Sequence, residues 1–362
     1  MAASVISDNS MSVHTINRET KLVVAEYVFI DGFGITRSKT RIIKGKLVQG
    51  QEARGLMFSV DVWNIDGSNT GQSDIGNSDI IIMPRALFND PFNESSNCIQ
   101  YCLALCDVMN VDGSPHPSNS WAELFRVILQ LGENKIKDED PWFGIEQEYI
   151  LYDASTSLPY KWQQSTYYSK QGPFYCGVGG NVAFGREIAV EHMNKCIIAG
   201  IAICGVNGEV APAQWKFQIG ICNPISICEH LWIARYILAR VAESYGAYIS
   251  YDLKPIGSIW NSLSAHTNFS TASMRNEGGL SVIKATIEKL ADKHKEHIAV
   301  YGSGNETSNL DKFTYGEFGH NSSVRIPVNV LAEGCGYFED CRPSANADPY
   351  LVVAKILETV ML

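Results

Sequence analysis

The sequence predicts a mixed strand-and-helix protein cut in two by a turn-rich linker. Three observations carry this. Residues 21–44 alternate apolar and polar side chains around Asp31-Gly32, the pattern of a β-hairpin. Residues 121–131, 186–199, 230–244 and 279–294 read as helices, the first and third with clear apolar stripes. Between these regions lies VDGSPHPSNS, residues 111–120, dense in Gly, Pro, Ser and Asn.

The bulk properties set limits. A chain of 362 residues holds one large domain or two ordinary ones, and 45% hydrophobic residues suffice for a packed core. A net charge of −10 argues against nucleic acid as partner. No apolar run reaches membrane-spanning length, and the first twenty residues lack a basic-then-apolar signal pattern. These features predict a cytoplasmic protein with no membrane partner. The ten cysteines include no CxxC pair with zinc spacing and read as free thiols. Cys98, Cys102 and Cys106 fall four apart, which predicts one stripe of a helix over residues 97–110.

Taken in order, residues 1–20 are polar and small and predict a loose arm. The hairpin follows. FSVDVWNIDGSNTGQSDIGNSDIIIMP then sets apolar runs around a loop of Gly, Ser, Asn and Asp. After the linker and the helix over residues 121–131 comes PWFGIEQEY, residues 141–149, an apolar and aromatic strand. Residues 153–172 form an irregular loop leading to GPFYCGVGG. The helix over 186–199 stops at Gly200, and its His192 reads as a surface or core residue rather than a ligand. NGEVAPAQWKFQIG, the helix over 230–244, a strand and loop, and NSLSAHTNFST complete this part.

The chain is organised around PWFGIEQEY. Side chains alternate along a strand, so Glu146 and Glu148 share a face. Two like charges on a buried face need a cation between them, and magnesium takes such oxygen ligands. An exposed edge strand with surface carboxylates gives the same spacing.

GIEQEY resembles the metal-binding strand of the eukaryotic-type glutamine synthetases, and the resemblance runs from about residue 26 to the C-terminus. WNIDGSNTGQ is similar to the family's WNFDGSSTGQ, HTNFST is shared, and GYFEDCRPSANADPY matches GYFEDRRPSANCDPF. The resemblance implies an α+β fold: a small β-grasp domain over residues 21–112, then a large α+β catalytic domain over residues 113–362 with a curved antiparallel sheet. It implies pentameric rings stacked into decamers, with active sites between neighbouring subunits. ATP and magnesium or manganese are the implied cofactors, and a small carboxylate and an amine the implied substrates.

Residue by residue, the resemblance implies a second metal site of Glu146, His266 and Glu339, and a first of Glu148, Glu209 and the residue at 216. Asp66 would help deprotonate the incoming amine in a neighbour's site, although composition alone makes it a turn residue. Glu306 is the flap glutamate, and Arg325 faces the phosphates. Asn268, Ser270 and Tyr337 fall at the nucleotide. Asn261, Ser262, Tyr175, Cys341 and Arg342 fall at the acid pocket.

The departures from the family pattern concentrate on one side. Lys216 stands where the family has glutamate, and a protonated ammonium cannot ligate a cation. Beside Glu148 and Glu209 it would replace the metal's charge with its own, or else point to solvent. Cys341 and His320 replace arginines, Asn305 replaces the flap histidine, and a further arginine of a shortened loop has no counterpart. Two of the lost arginines grip the substrate's α-carboxylate in the family. Ser262, Leu263 and Ser264 replace a Gly-Ala-Gly run, which predicts a crowded acid pocket. Two readings lead, and ordinary glutamine synthesis through substituted contacts ranks third as chemistry. One is an ATP-dependent carboxylate–amine ligase, working through an acyl phosphate on a non-standard acid or amine. The other is a catalytically degraded relative that serves as a binding or regulatory subunit.

Overall fold

The computed structural model describes residues 12–13, 22–44, 47–48, 57–58, 60–96, 99–162, 172–254, 262–303, 312–317 and 322–362. The chain forms two compact units. The first takes residues 1–119 with 195–201, the second residues 120–194 with 202–362.

The first unit is built on β1 (Leu22–Ile30), β2 (Thr36–Lys44), β3 (Trp63–Asp66), β4 (Asp79–Asn89) and β5 (Ile99–Met109). β1 and β2 are the expected hairpin, with Ile30 opposite Thr36. Its turn is fixed by the buried Asp31, whose Oδ1 accepts from the Phe33 and Ile35 amides at 2.9 Å each. β1 also pairs in parallel with β5, which pairs antiparallel with β4, and β3 pairs with β4. This is the β-grasp arrangement. The cysteine stripe is a correction: Cys102 and Cys106 lie on β5, not on a helix, and Cys98 lies outside the described residues. A spacing of four is even, so it also keeps side chains on one face of a strand. Both thiols enter the core with Val23, Tyr27, Ile82 and Leu87.

The second unit opens with α1 (Ser120–Leu131), matching the expected helix, and α2 (Glu133–Glu139). Its large sheet contains β6 (Trp142–Asp153), β7 (Ile203–Gly208), β8 (Gln214–Cys222), β9 (Ala247–Ser250), β10 (Ala265–Ser270), β11 (Tyr315–Gly316), β12 (Val324–Arg325) and β13 (Phe338–Asp340). The order is β7-β8-β6-β10-β13-β12-β11, with β9 also on β6, and every pairing except β11 with β12 is antiparallel. The sheet curls into a half-barrel.

One face of the sheet is apolar. Phe143, Ile145, Phe217 and Phe269 are buried there. Against the sheet packs α4 (Pro224–Ser244), longer at its N-terminus than its stripe predicts. The extra turns start at Asn223, whose Oδ1 accepts from the Ile225 and Ser226 amides at 3.1 and 2.9 Å, with Pro224 as the first helical residue. Arg235 of α4 donates Nε and Nη2 to Gln147 Oε1 at 2.9 and 2.6 Å and Nη2 to the Ala345 and Ala347 carbonyls at 3.0 Å. This buried network ties the helix to the central strand. α3 (Arg186–Ala199) has the expected limits, and Gly200 leaves it at φ 85°. His192 is fully buried, within 3.0 Å of the Ala234 carbonyl and edge-on to Phe217, so it is a core residue. α5 (Gly279–Asp292) stops two residues before the expected His294, and α6 (Pro349–Met361) ends the unit.

Candidate active site

The opposite face of the half-barrel is polar, and strand register lays its residues out in three rows. The first row is Asn207, Lys216 and Glu148 across β7, β8 and β6. The second is Gln218, Glu146 and His266 across β8, β6 and β10. The third is Gly144, Asn268, Glu339 and Arg325 across β6, β10, β13 and β12. The rows are two residues apart, so all of these side chains leave the same face. Glu209 follows β7, and a backbone bond of 2.8 Å from its amide to the Gln214 carbonyl closes the turn. The 172–180 loop lies close by: a Cβ on Gly208 would sit 3.1 Å from the Phe174 carbonyl oxygen, so glycine suits this approach.

Four carboxylates crowd this face, and Glu148, Glu209 and Glu339 are buried. Lys216 Nζ lies 3.1 Å from Glu146 Oε2 and 3.1 Å from Glu209 Oε1. Burial works against its charged form, but the fields of Glu209, Glu146 and Glu148 outweigh that and hold its pKa above the lysine range. The solvent-pointing alternative is therefore excluded. The expected partners were Glu148 and Glu209. Glu148 is instead met by the Ser264 amide at 3.1 Å and Gln214 Nε2 at 3.4 Å, and burial raises its pKa. Asn207 Nδ2 donates to Glu209 Oε1 at 2.9 Å.

On the other side of the face, His266 Nδ1 is 2.9 Å from Glu339 Oε1, and Arg325 Nε pairs with Glu339 Oε2. Burial opposes ionisation of Glu339, but His266 and Arg325 more than reverse it and bring its pKa down to about 2. Cys341 Sγ stands 3.7 Å from Glu339 Oε1. Asn268 Nδ2 donates to Glu146 Oε1 at 3.4 Å. Ser270 is buried and donates to the Gly336 carbonyl at 2.5 Å, and Tyr337 is half-buried. Tyr175 is exposed and Ser262 half-buried.

Two expectations need correction. Arg342 does not line a pocket: its side chain is 0% exposed and chelates Asp340, with Nε–Oδ1 at 2.8 Å and Nη2–Oδ2 at 2.7 Å. Nη1 and Nη2 face His294 and His297 Nδ1 at 3.2 and 3.3 Å. Leu263 does not crowd the polar face either. It is fully buried in a core with Ile150, Tyr152 and Ala345. Glu306, Asn305, His320 and Asn261 lie outside the described residues. In the first unit, Asp66 is exposed and caps a short 3₁₀ turn. Its Oδ1 accepts from the Ser68 amide and hydroxyl at 3.0 and 2.6 Å, and its Oδ2 from Asn69 at 2.7 Å.

Sequence reasoning passed over Gln147 and Arg235. The available signal was alternation: Gln147 lies between two face-sharing glutamates and must point to the core, where only a partner makes it tolerable.

Comparison with known proteins decides the family. The model of the glutamine synthetase catalytic domain matches residues 124–299. A glutamine synthetase of Neurospora crassa is 45% identical over 345 residues, covering 93% of this chain and 91% of that protein. The chain belongs to the glutamine synthetase family. Glutamine synthetase cytosolic isozyme 2 of Glycine max is 43% identical over 352 residues, covering 95% of each. A solved structure described as apo GmaS without ligand superposes with a TM-score of 0.71 at 18% identity, over 93% of this chain and 78% of that one, and shows the shared fold.

Glutamine synthetases use ATP and divalent metal ions, and the two implied metal positions differ in how they suit one. At the second, His266, Glu339 and Cys341 bring ligand atoms within 4.8 Å of one another; Glu146 is opposite His266 in register but is not part of that group. One imidazole with carboxylate oxygens suits a divalent ion. At the first, an ammonium already stands against Glu209 and Glu146. Lysine has donors only, so this set does not fit a metal.

Proposed function

We propose that this chain is an ATP-dependent carboxylate–amine ligase of the glutamine synthetase family with an altered acid pocket and a non-standard acid or amine. What supports the reading is one observation: Glu146, His266, Glu339 and Arg325, brought by four strands to one face, retain the nucleotide-side set. A β-grasp domain over 21–112 and a catalytic domain over 113–362 form the subunit, and the expected arm over residues 1–20 lies outside the described residues apart from Ser12 and Val13, which pair with Ala86 and Leu87. Subunits stack as two pentameric rings. Relatives named cytosolic isozymes support a cytoplasmic location.

In this reading Glu146, His266 and Glu339 hold magnesium or manganese, which supplies charge neutralisation at the ATP phosphates. Asn268, Ser270 and Tyr337 border the nucleotide. A substrate carboxylate oxygen attacks the γ-phosphorus, the bond to the β-phosphate oxygen breaks, and ADP leaves. Arg325 balances charge on the transferring group. The amine then attacks the acyl carbon and expels phosphate, its proton passing to Glu306 or to Asp66 of a neighbouring subunit. Tyr175, Asn261 and Ser262 border the acid, and Cys341 leaves its carboxylate without a bidentate partner.

A second reading, a catalytically degraded binding or regulatory subunit, draws on the Lys216 ion pairs and on Cys341. Calorimetric titration of magnesium-ATP into the purified oligomer separates the two. Saturable, divalent-dependent binding supports the ligase, and a screen of acids and amines for ADP release then names its substrates, with glutamate expected to be poor. Absence of binding at millimolar nucleotide would leave only the second reading.

A further inference from the structure

We infer that Lys216 is a built-in cation that permanently takes the place of one divalent ion, so that each subunit carries a single ion position, at His266 and Glu339. This deepens the ligase reading and rests on it for the remaining position.

The geometry is that of a seated ion. Nζ lies at 3.1 Å from carboxylates on two sides, Glu209 beyond β7 and Glu146 on β6, and the stem leaves only 14% of the side chain exposed. Distances of this kind are charge-assisted hydrogen bonds, not coordination, for which oxygen would have to approach a magnesium or calcium ion to about 2.0–2.6 Å. A divalent ion entering between Glu148 and Glu209 would meet a fixed positive charge within a few ångströms, in a buried setting where screening by solvent is weak.

The charge balance is preserved by the exchange. A carboxylate plus a divalent ion carries one net positive charge, and so does one ammonium. Two carboxylates with Lys216 therefore present the same net charge as three carboxylates with a metal. What changes is geometry. A metal can bind a ligand from the substrate in an open coordination position, whereas Lys216 offers only N–H donors and meets Glu146 and Glu209 with them. Lys216 also pulls on Glu146, which the resemblance assigns to the other ion. The lysine thereby links the two positions through one carboxylate, and Asn268 holds the second oxygen of that carboxylate at 3.4 Å.

The test is stoichiometry, not turnover. Manganese alone is titrated into the intact protein and into Lys216→Glu, and bound ions per subunit are counted by the loss of the free-ion paramagnetic resonance signal. The expected result is one ion in the natural protein and two in Lys216→Glu. Far-ultraviolet circular dichroism checks the fold. If Lys216→Glu does not fold, Lys216→Gln takes its place, offering a neutral oxygen ligand, with the same gain of one ion expected. Two ions in the natural protein, or equal counts in the natural protein and a folded variant, would overturn the inference. No ion in the natural protein and one in the variant would uphold the role of Lys216 and remove the ligase reading, so the two fail separately.

Discussion

Replacing Arg342 by methionine strands a carboxylate in the core. Arg342 and Asp340 are both 0% exposed, and two hydrogen bonds of 2.8 and 2.7 Å join them side by side. With the guanidinium gone, Asp340 keeps the Tyr301 hydroxyl at 2.8 Å and the backbone amide of residue 342 at 3.1 Å. Neither supplies a countercharge. Breaking one partner out of a buried pair costs about 3–5 kcal/mol, because the survivor's desolvation is no longer offset. Asp340→Asn removes the same attraction from the other side. The double variant then loses far less than the sum of the two singles, since no bare charge is left and methionine fills most of the volume. Urea unfolding of all four proteins, followed by circular dichroism, measures the cycle. A loss below about 1 kcal/mol for Arg342→Met, or full additivity in the double variant, would refute the assignment of Arg342 to the core.

His192 is buried and its pKa is lowered to about 4 by desolvation, so the unfolded chain binds the extra proton first as pH falls. Stability from this residue is whole above pH ~6.5 and declines toward pH 4, by about 3 kcal/mol in all; the slope of urea stability against pH should flatten over this window in His192→Gln. Asn223→Ala removes the cap of α4 and should cost about 1 kcal/mol by the same denaturation assay. In the ligase reading, Arg325→Gln lowers ADP release by about 10²–10³-fold without a change in the far-ultraviolet spectrum.

Much of the fold was legible because its signals are local. The β1–β2 hairpin, α1 and the limits of α3 follow from alternation, stripes and a stop glycine. Where two periods coincide the signal fails. Cys102 and Cys106 are four apart, which suits a helix and a strand alike, and only the β-branched and aromatic neighbours on β5 break the tie. The start of α4 was hidden because Asn223-Pro224 reads as a turn until the helix after it is known. In the site, motifs gave residue identity but not direction. Register places Lys216 opposite Glu148, yet its long stem reaches diagonally to Glu146, a choice made by burial and charge. Leu263 and Arg342 sit inside recognisable motifs, and both turn into the core. For these residues the deciding term is what lies behind the strand, which no spacing encodes.

The substitutions on the polar face are coupled by charge. Glu146 and Glu209 share Lys216, and Glu339 is held by Arg325 and His266. Glu148 has no cation within hydrogen-bonding distance among the described residues, and it is the carboxylate whose pKa burial raises. The face is thus compensated by its own side chains. A site that depended on ions to neutralise four crowded carboxylates would lose stability in chelator, because buried like charges repel strongly. Here the lysine removes that dependence at the first position, and a chelator should lower the urea midpoint only by the share of the ion at His266 and Glu339. Lys216→Glu, which restores an uncompensated carboxylate, should make that loss in chelator larger. The difference in chelator sensitivity between the two proteins therefore reads the lysine's role without any substrate in hand.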